Sequence, residues 1–592
     1  MQRSFYQAVV GLSLCLILAR AAADEVPEPD IVVTATRAPI PIEEAIVPVV
    51  VITRQDIEQS LATDLAELLR FEAGLDIGRQ GGPGQATSVF MRGTESNHTL
   101  VLIDGVRINP GTVGGAAIQN IAPELVERIE IVKGARSALF GTDAIGGVIN
   151  VITRREQRGW VEGSVGGGSF DTRSAFLSAG HRGDDAELGA SVNFQDTDGF
   201  PARTGTDIDR GYRNLSASVH AGRRLGSSYL SVRHWRAQGT NEYFDFFLAP
   251  LDQDFRNEST ALELESPLAA GVESRLVLSR IVDEITQNQS SDFVESVRHA
   301  LDWQLDYARG DHRWIGGLHL VDEDATALQF ASGFDVSTET RAAFLEHLWS
   351  GGRHRTFAAL RLTDHETFGE HVTWNAEYAF DVDDRWTVSA GLGHAFRAPD
   401  ATDRFGFGGD PDLEPETADE AQLGLRFAPT ARQSLDLELY YKELENLIEF
   451  DLESFVLRNL GKAEVRGAEL RWEYRGEDWS MLASVVRQSA ENALDGTRLP
   501  RRAEESASLR LVRNLGPHRV GIAVLANGDR VDVGDVRLPG YAVASLTGQL
   551  ALGERWRLTA RIENLFDAQY ETAAGFPMQE RSAFVDLAWR WQ

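Results

Sequence analysis

The sequence predicts an all-β barrel that crosses a membrane, preceded by a small α+β unit. Three features lead there. From about residue 156 onward, apolar and polar residues alternate with period two, the pattern of strands with unlike faces. After residue 23 no apolar run is long enough for a membrane helix, and the other structure that satisfies every backbone group in lipid is a closed barrel. The chain also carries an export signature and a single cysteine.

The export signature comes first. Arg3, the apolar run Ala8 to Ala19 and the small residues Ala21 to Ala23 follow the order of a secretory signal peptide cut after Ala23. A membrane anchor is the competing reading, but the run is short for a bilayer. Cys15 falls inside this segment behind Leu14, where lipidation would need a small residue, so the mature chain is expected to hold no thiol, disulfide or cysteine metal site. The net charge of −31 becomes −33 on cleavage, since residues 1 to 23 contain Arg3 and Arg20 and no acid. So acidic a chain is a poor nucleic-acid binder and a plausible cation binder.

Next stands "VPEPDIVVTATRAPIPIEE", Val26 to Glu44. Ile31, Val32, Val33, Thr34 and Thr36 favour extended backbone. Pro27, Pro29, Pro39 and Pro41 flank them and cannot donate ladder hydrogen bonds. The segment is expected to lie outside any internal sheet, with no strand partner in its own chain.

From Val49 to about Arg155 the pattern is mixed. "VVVIT" reads as a strand, Thr53 with Asp56 as a capping box, and "TDLAELLRFEAG" as a helix with Leu65, Leu68 and Leu69 on one face, ended by Gly74. "SVFMRG" and "TLVLIDGVRIN" read as strands, the second folded at Asp104-Gly105. Pro123 is expected to open a short helix in "PELVERIE", and "GGVINVIT" returns to strand. Beyond residue 156, "RWRLTARIE" sets Trp556, Leu558, Ala560 and Ile562 against Arg555, Arg557, Thr559, Arg561 and Glu563; "SLDLELYY" and "AELRWEYR" repeat the scheme. A soluble sandwich would alternate too. Export, absence of cysteine and densely charged inner faces favour an outer-membrane barrel with a polar lumen.

The runs Gln80–Asn109 and Ile129–Thr153 resemble the plug domain of TonB-dependent outer-membrane receptors. "FRAPDATDRFGFGGDPDLEPE" (Phe396–Glu416), "RNLGKAEVRGAEL" (Arg458–Leu470) and "ENLFDAQYET" (Glu563–Thr572) are similar to that family's barrel. Length and the spacing of the plug loops look most like its cobalamin receptors. The resemblance implies 22 antiparallel strands closed by the plug, divided as signal peptide 1–23, periplasmic segment 24–44, plug 45–154 and barrel 155–592. The 592 − 154 = 438 barrel residues give roughly 20 per strand and connection, enough for tilted strands of about 10 residues plus loops. The end "AFVDLAWRWQ" departs from the family's usual terminal aromatic: Val585, Leu587, Trp589 and Trp591 form the outward face with Gln592 appended.

By the same resemblance, Asp30, Ile31, Val32, Val33, Thr34 and Ala35 form the TonB box, which adds as a strand to the periplasmic domain of TonB. A large scarce solute is expected on two apical plug loops, through Gln80, Gly82, Gln85, Asn109, Val113 and Gly114, with Tyr243, Phe244 and Phe246 beside it. A periplasmic binding protein would receive the solute downstream, and the receptor would be a monomer in outer-membrane lipid. Cobalamin carries little net charge, whereas many ferric siderophores are anions that so acidic a chain would repel; cobalamin is therefore preferred, with a siderophore as the alternative. The family's calcium-binding loops correspond to Asp198, Asp207, Asp209, Asp245, Asp252 and Asp254, so calcium is expected as a structural ion that orders two loops.

No catalytic cofactor or enzyme activity is expected. "GARSALFGTDAIGG" is glycine-rich but lacks the P-loop lysine, no G-x-S-x-G or H-E-x-x-H occurs, and 13 histidines are scattered singly. A passive porin or adhesin would need neither plug nor box.

Overall fold

The computed structural model describes residues 31–32, 34–60, 62–155, 159–329 and 332–591. The expected signal peptide, Cys15, Asp30, Val33 and Gln592 lie outside the described residues.

Strands from Trp160–Gly168 to Ser582–Trp591 form one closed antiparallel barrel of 22, with the first strand paired to the last through Val161↔Trp591 to Gly168↔Phe584. Closure removes both sheet edges, which is what lipid demands of a spanning sheet. The alternation sorts the faces as expected: Val192 and Phe194 are exposed on the outer wall, whereas Ser191, Asn193 and Gln195 on the same strand are buried in the lumen. One barrel end has tight turns, such as those at Gly226, Gly271 and Gly310. The other carries longer connections, including 398–415 and 564–581. Short turns mark the periplasmic end and long loops the extracellular end. Trp314, Trp386, Trp479 and Trp556 are exposed near strand starts at the short-turn end, as in an interfacial aromatic girdle. Among the described residues no helix is long and apolar enough to cross a membrane.

The N-terminal unit fills the lumen. Its five-stranded sheet runs Val49–Ile52, Val126–Lys133, Gly147–Thr153, Thr99–Ile103 and Val106–Arg107; the third and fourth pair in parallel and the others antiparallel. The hairpin at Asp104-Gly105 forms with φ of 50° and 81°, as its turn chemistry requires. The capping box forms as well: Thr53 Oγ1 donates to Asp56 Oδ2 at 2.6 Å, and Asp56 N donates back to Thr53 Oγ1 at 3.3 Å. The helix around Leu65 is short, Leu65–Leu69, with Asp64 as its cap.

The helix expected at Pro123 is corrected to a single 3₁₀ turn, Pro123–Leu125, and "VERIEIVK" is the strand Val126–Lys133. Val126, Ile129 and Ile131 are β-branched and become fully buried between two neighbouring strands, so tertiary pairing outweighs the local helical signal.

Candidate functional site

At the N-terminus, the segment expected to be the TonB box folds back on itself. Ile31 pairs with Pro41 and Val32 with Ile40, antiparallel. The expectation of no partner in the same chain is thereby corrected: the turn through Thr34–Ala38, with Arg37 at φ 55°, returns the chain as a two-residue ladder. The prolines do keep it out of the five-stranded plug sheet. Thr34 is tied to the plug, its N and Oγ1 donating to Glu130 Oε2 at 3.0 and 2.7 Å, while Asn150 Nδ2 donates to Thr34 Oγ1 at 3.0 Å. Ala35 is buried with Ile40 and Val47. Arg37 bridges plug and barrel. Its Nη1 donates to Leu139 O at 2.6 Å, its Nη2 reaches Asp302, and its guanidinium lies 4.4 Å from the Phe344 ring centre.

At the extracellular end, the first apical loop is wedged into the wall rather than open to solvent. Gln85 is buried, donating through Nε2 to Asn241 Oδ1 at 3.2 Å and Glu242 O at 2.6 Å. A Cβ on Gly82 would lie 3.1 Å from the Phe200 ring, and one on Gly84 would lie 2.0 Å from that of Tyr212, so these glycines allow the close approach. Gln80 is half-buried, its N donating to Ala86 O at 3.1 Å. Arg79, the one cation of this loop, is withdrawn and ion-paired with Asp64. In the second loop Asn109 is an internal staple: its Oδ1 accepts from Val101 N at 2.8 Å, and its Nδ2 donates to Thr99 O and Gly114 O at 3.1 and 2.9 Å. Gly114 is buried with φ 66°, while Val113 is exposed at the crown. Tyr243 OH donates to Gln287 Oε1 at 2.6 Å, and Arg210 covers Phe244. Phe246 is 83% exposed and meets the equally exposed Phe247 edge to face at 5.5 Å. Of the nine expected ligand residues, Val113 and Phe246 stand free for a solute; Phe247 joins them, legible only as Phe246's neighbour.

The six expected calcium ligands do not converge. Asp198, Asp207 and Asp209 are exposed. Asp245 Oδ1 caps its own turn, accepting from Phe247 N and Ala249 N at 2.9 and 2.7 Å. Asp252 accepts from Asn288 and Gln289, and Asp254 from Thr240 Oγ1 at 2.7 Å. Among the described residues no group of three or more acids or histidines is placed to hold a metal. As folded, these loops do not fit a cation that needs six to eight oxygens.

The seam between plug and barrel is ionic. Arg92 Nε donates to Glu469 Oε1 at 3.0 Å, with Glu420 and Glu438 within 3.9 Å of its other nitrogens; Lys133 also pairs with Glu469, and Arg136 with Glu377. On the barrel side Arg397 joins Glu416, Asp400 and Asp403 at 2.7, 2.8 and 2.6 Å, and His98 of the plug meets Glu416 at 3.1 Å. Single cations inside apolar runs, Arg92 in "VFMRG" and Lys133 in "IEIVKG", were the available signal. Their partners lie hundreds of residues away. These buried pairs tie the plug to the wall beside apolar contacts, such as Val106 with Ala261, Val277 and Ile281.

Two family models match the chain, "TonB-dependent Receptor Plug Domain" over residues 41–148 and "TonB dependent receptor-like, beta-barrel" over residues 150–565. The vitamin B12 transporter BtuB of Photobacterium profundum is 28% identical over 611 residues, covering 98% of this chain and 99% of that protein. Among solved structures, the ferric enterobactin receptor PfeA of Pseudomonas aeruginosa aligns with a TM-score of 0.81 at 16% identity, covering 95% and 100% of the two chains. The copper transporter OprC aligns with a TM-score of 0.79 at 18% identity, covering 92% and 98%.

Proposed function

The chain belongs to the TonB-dependent receptors of the outer membrane, transporters rather than enzymes, and we propose that the solute it carries is cobalamin. The observation that carries this reading is the full-length similarity to relatives named as vitamin B12 transporters. The crown supports it. Val113, Phe246 and Phe247 offer apolar surface, and Arg79 is withdrawn into an ion pair, which suits a large solute of low net charge better than an anionic siderophore.

In the proposed cycle the solute binds at the crown and the segment around Ile31–Ala35 leaves its two-residue hairpin and its bonds to Glu130. It then adds as a strand to the periplasmic domain of TonB, through main-chain hydrogen bonds. Release breaks the Thr34 bonds to Glu130 and Asn150 and the ion pair of Arg37 with Asp302. The pull reaches the plug, whose ionic seam opens, and a periplasmic binding protein receives the solute.

Titration of the purified protein with cyanocobalamin tests the solute: saturable binding at micromolar ligand or below is expected, and its absence moves the reading to a ferric siderophore. Val33→Pro tests the box. The substitution removes one backbone donor from the added strand and should abolish energised uptake while leaving solute affinity unchanged; unchanged uptake would exclude the assignment.

A further inference from the structure

A cavity of about 920 Å³ lies between the second apical loop of the plug and the barrel wall, and four arginines line it: Arg107, Arg361, Arg397 and Arg404. Three of them face acids. Arg107 is paired with Asp143, Arg397 binds Asp400, Asp403 and Glu416, and Arg361 lies in the field of Asp302 and Glu346. Arg404 is the exception. Although the chain holds 89 acids against 58 lysines and arginines, Arg404 forms no ion pair among the described residues, and partial burial is the one influence on its charge. The acids nearest to it in sequence are committed elsewhere: Asp400 and Asp403 to Arg397, and Glu366 Oε2 to Glu339 N at 2.8 Å.

Two rings hold this side chain in place. The guanidinium carbon lies 4.5 Å from the ring centre of Phe405 and 5.2 Å from that of Phe368. Stacking of this kind occupies the guanidinium faces and leaves its N–H edge for an acceptor. Nη1 reaches Thr367 Oγ1 only at 3.5 Å, whereas Nη2 has no hydrogen-bond partner and, unlike the buried Nε, keeps contact with open space. The turn that carries Phe368 is fixed by Thr367 N, which donates to His365 Nδ1 at 3.2 Å. The short helix that carries Arg404, Ala401–Phe405, is in turn bonded to the plug: Ala401 N and Thr402 N donate to Gly111 O and Thr112 O, both at 2.9 Å. Gly114, next to the exposed Val113, lines the same cavity, so a group held at Arg404 lies beside the plug loop that faces the crown.

We propose that Arg404 determines solute specificity by binding a singly charged oxyanion of the solute at the outer end of this cavity. On the cobalamin reading, on which this inference rests, that group is the phosphodiester of the nucleotide loop. A phosphodiester carries one negative charge and two acceptor oxygens, and one unpaired guanidinium meets both needs through charge-assisted hydrogen bonds. The two rings fix the guanidinium beforehand, so little side-chain freedom is lost when the solute binds. A site built around such a contact rejects an analogue that lacks the charged group, because the cation then stays unpaired.

Titration of the folded receptor in micelles with cyanocobalamin and, separately, with dicyanocobinamide, the same corrin without the phosphodiester and its base, reads the contact. Arg404→Gln should weaken cyanocobalamin binding at least about tenfold, the effect of losing one charged hydrogen bond, and leave dicyanocobinamide binding unchanged. Arg404→Lys should recover part of the loss, because the charge remains. Arg203→Gln removes another extracellular arginine, stacked on Phe576 at 4.3 Å, and should change neither affinity, which excludes an effect of bulk charge. Unchanged dicyanocobinamide binding also shows that the Arg404→Gln protein is folded. Wild-type affinity for cyanocobalamin in Arg404→Gln, or an equal loss for both corrinoids, overturns the inference and leaves cobalamin as the solute. Binding of neither corrinoid to wild type overturns the cobalamin reading and this inference with it.

Discussion

Arg37 and Asp302, 265 residues apart, form a two-pronged ion pair in which one guanidinium nitrogen of Arg37 donates to both carboxylate oxygens, at 2.7 and 2.6 Å. Asp302 also accepts from His319 Nδ1 at 3.0 Å. Arg37 lies just beyond the segment proposed as the TonB box and Asp302 on the barrel wall, so this pair ties the N-terminal segment to the wall.

Asp302→Asn is therefore expected to free the N-terminal segment. Removing one partner of a mostly buried pair costs about 3 kcal/mol, because the other charge is left without compensation. The barrel's melting temperature should stay close to that of wild type, while a spin label at Thr36 becomes mobile without solute. An immobile label in the variant would mean that Thr34 and its bonds to Glu130 hold the segment alone.

Acid should loosen the plug. Burial pushes the Glu58 carboxyl up, but Arg54, Arg557, Arg154 and Arg590 together outweigh burial and hold it down at about 2. The folded value lies below the unfolded value of about 4.5. The stabilisation, on the order of 3 kcal/mol, is thus complete above that pH and is lost as pH falls toward 2. Melting curves should be flat from pH 7 to about 5 and shift down between pH 4.5 and 2. Glu58→Gln should show a shallower acid shift; an identical shift would assign the effect to other carboxylates, such as Glu67, which is also held at about 2, by Arg561 and its neighbours against burial.

Calcium should not change solute affinity. The carboxylates of Asp245 and Asp252 are already taken up by backbone and amide donors, and no cluster of three forms among the described residues. Titrations of wild type and Asp207→Ala/Asp209→Ala, each with calcium and with a chelator, should give four equal affinities. Tighter binding only with calcium and only in wild type would show that the two loops close on the ion.

The sequence by itself determined the compartment, the barrel and the plug. These rest on local signals: a period of two carried strand by strand, the turn chemistry of Asp104-Gly105, the capping box at Thr53, and prolines that bar the box from the plug sheet. It did not determine "VERIEIVK", whose strand exists because two neighbours bury Ile129 and Ile131. Nor did it show that Gln85 and Asn109 are committed inside the protein, or that Arg37 finds Asp302. Loop composition shows which residues could meet a solute, but not which of them the barrel wall reaches first. Charge partners are set by the closure of 22 strands around the plug, which brings together residues hundreds of positions apart, and in a low-dielectric lumen that pairing decides which side chains are structural and which stay free to bind.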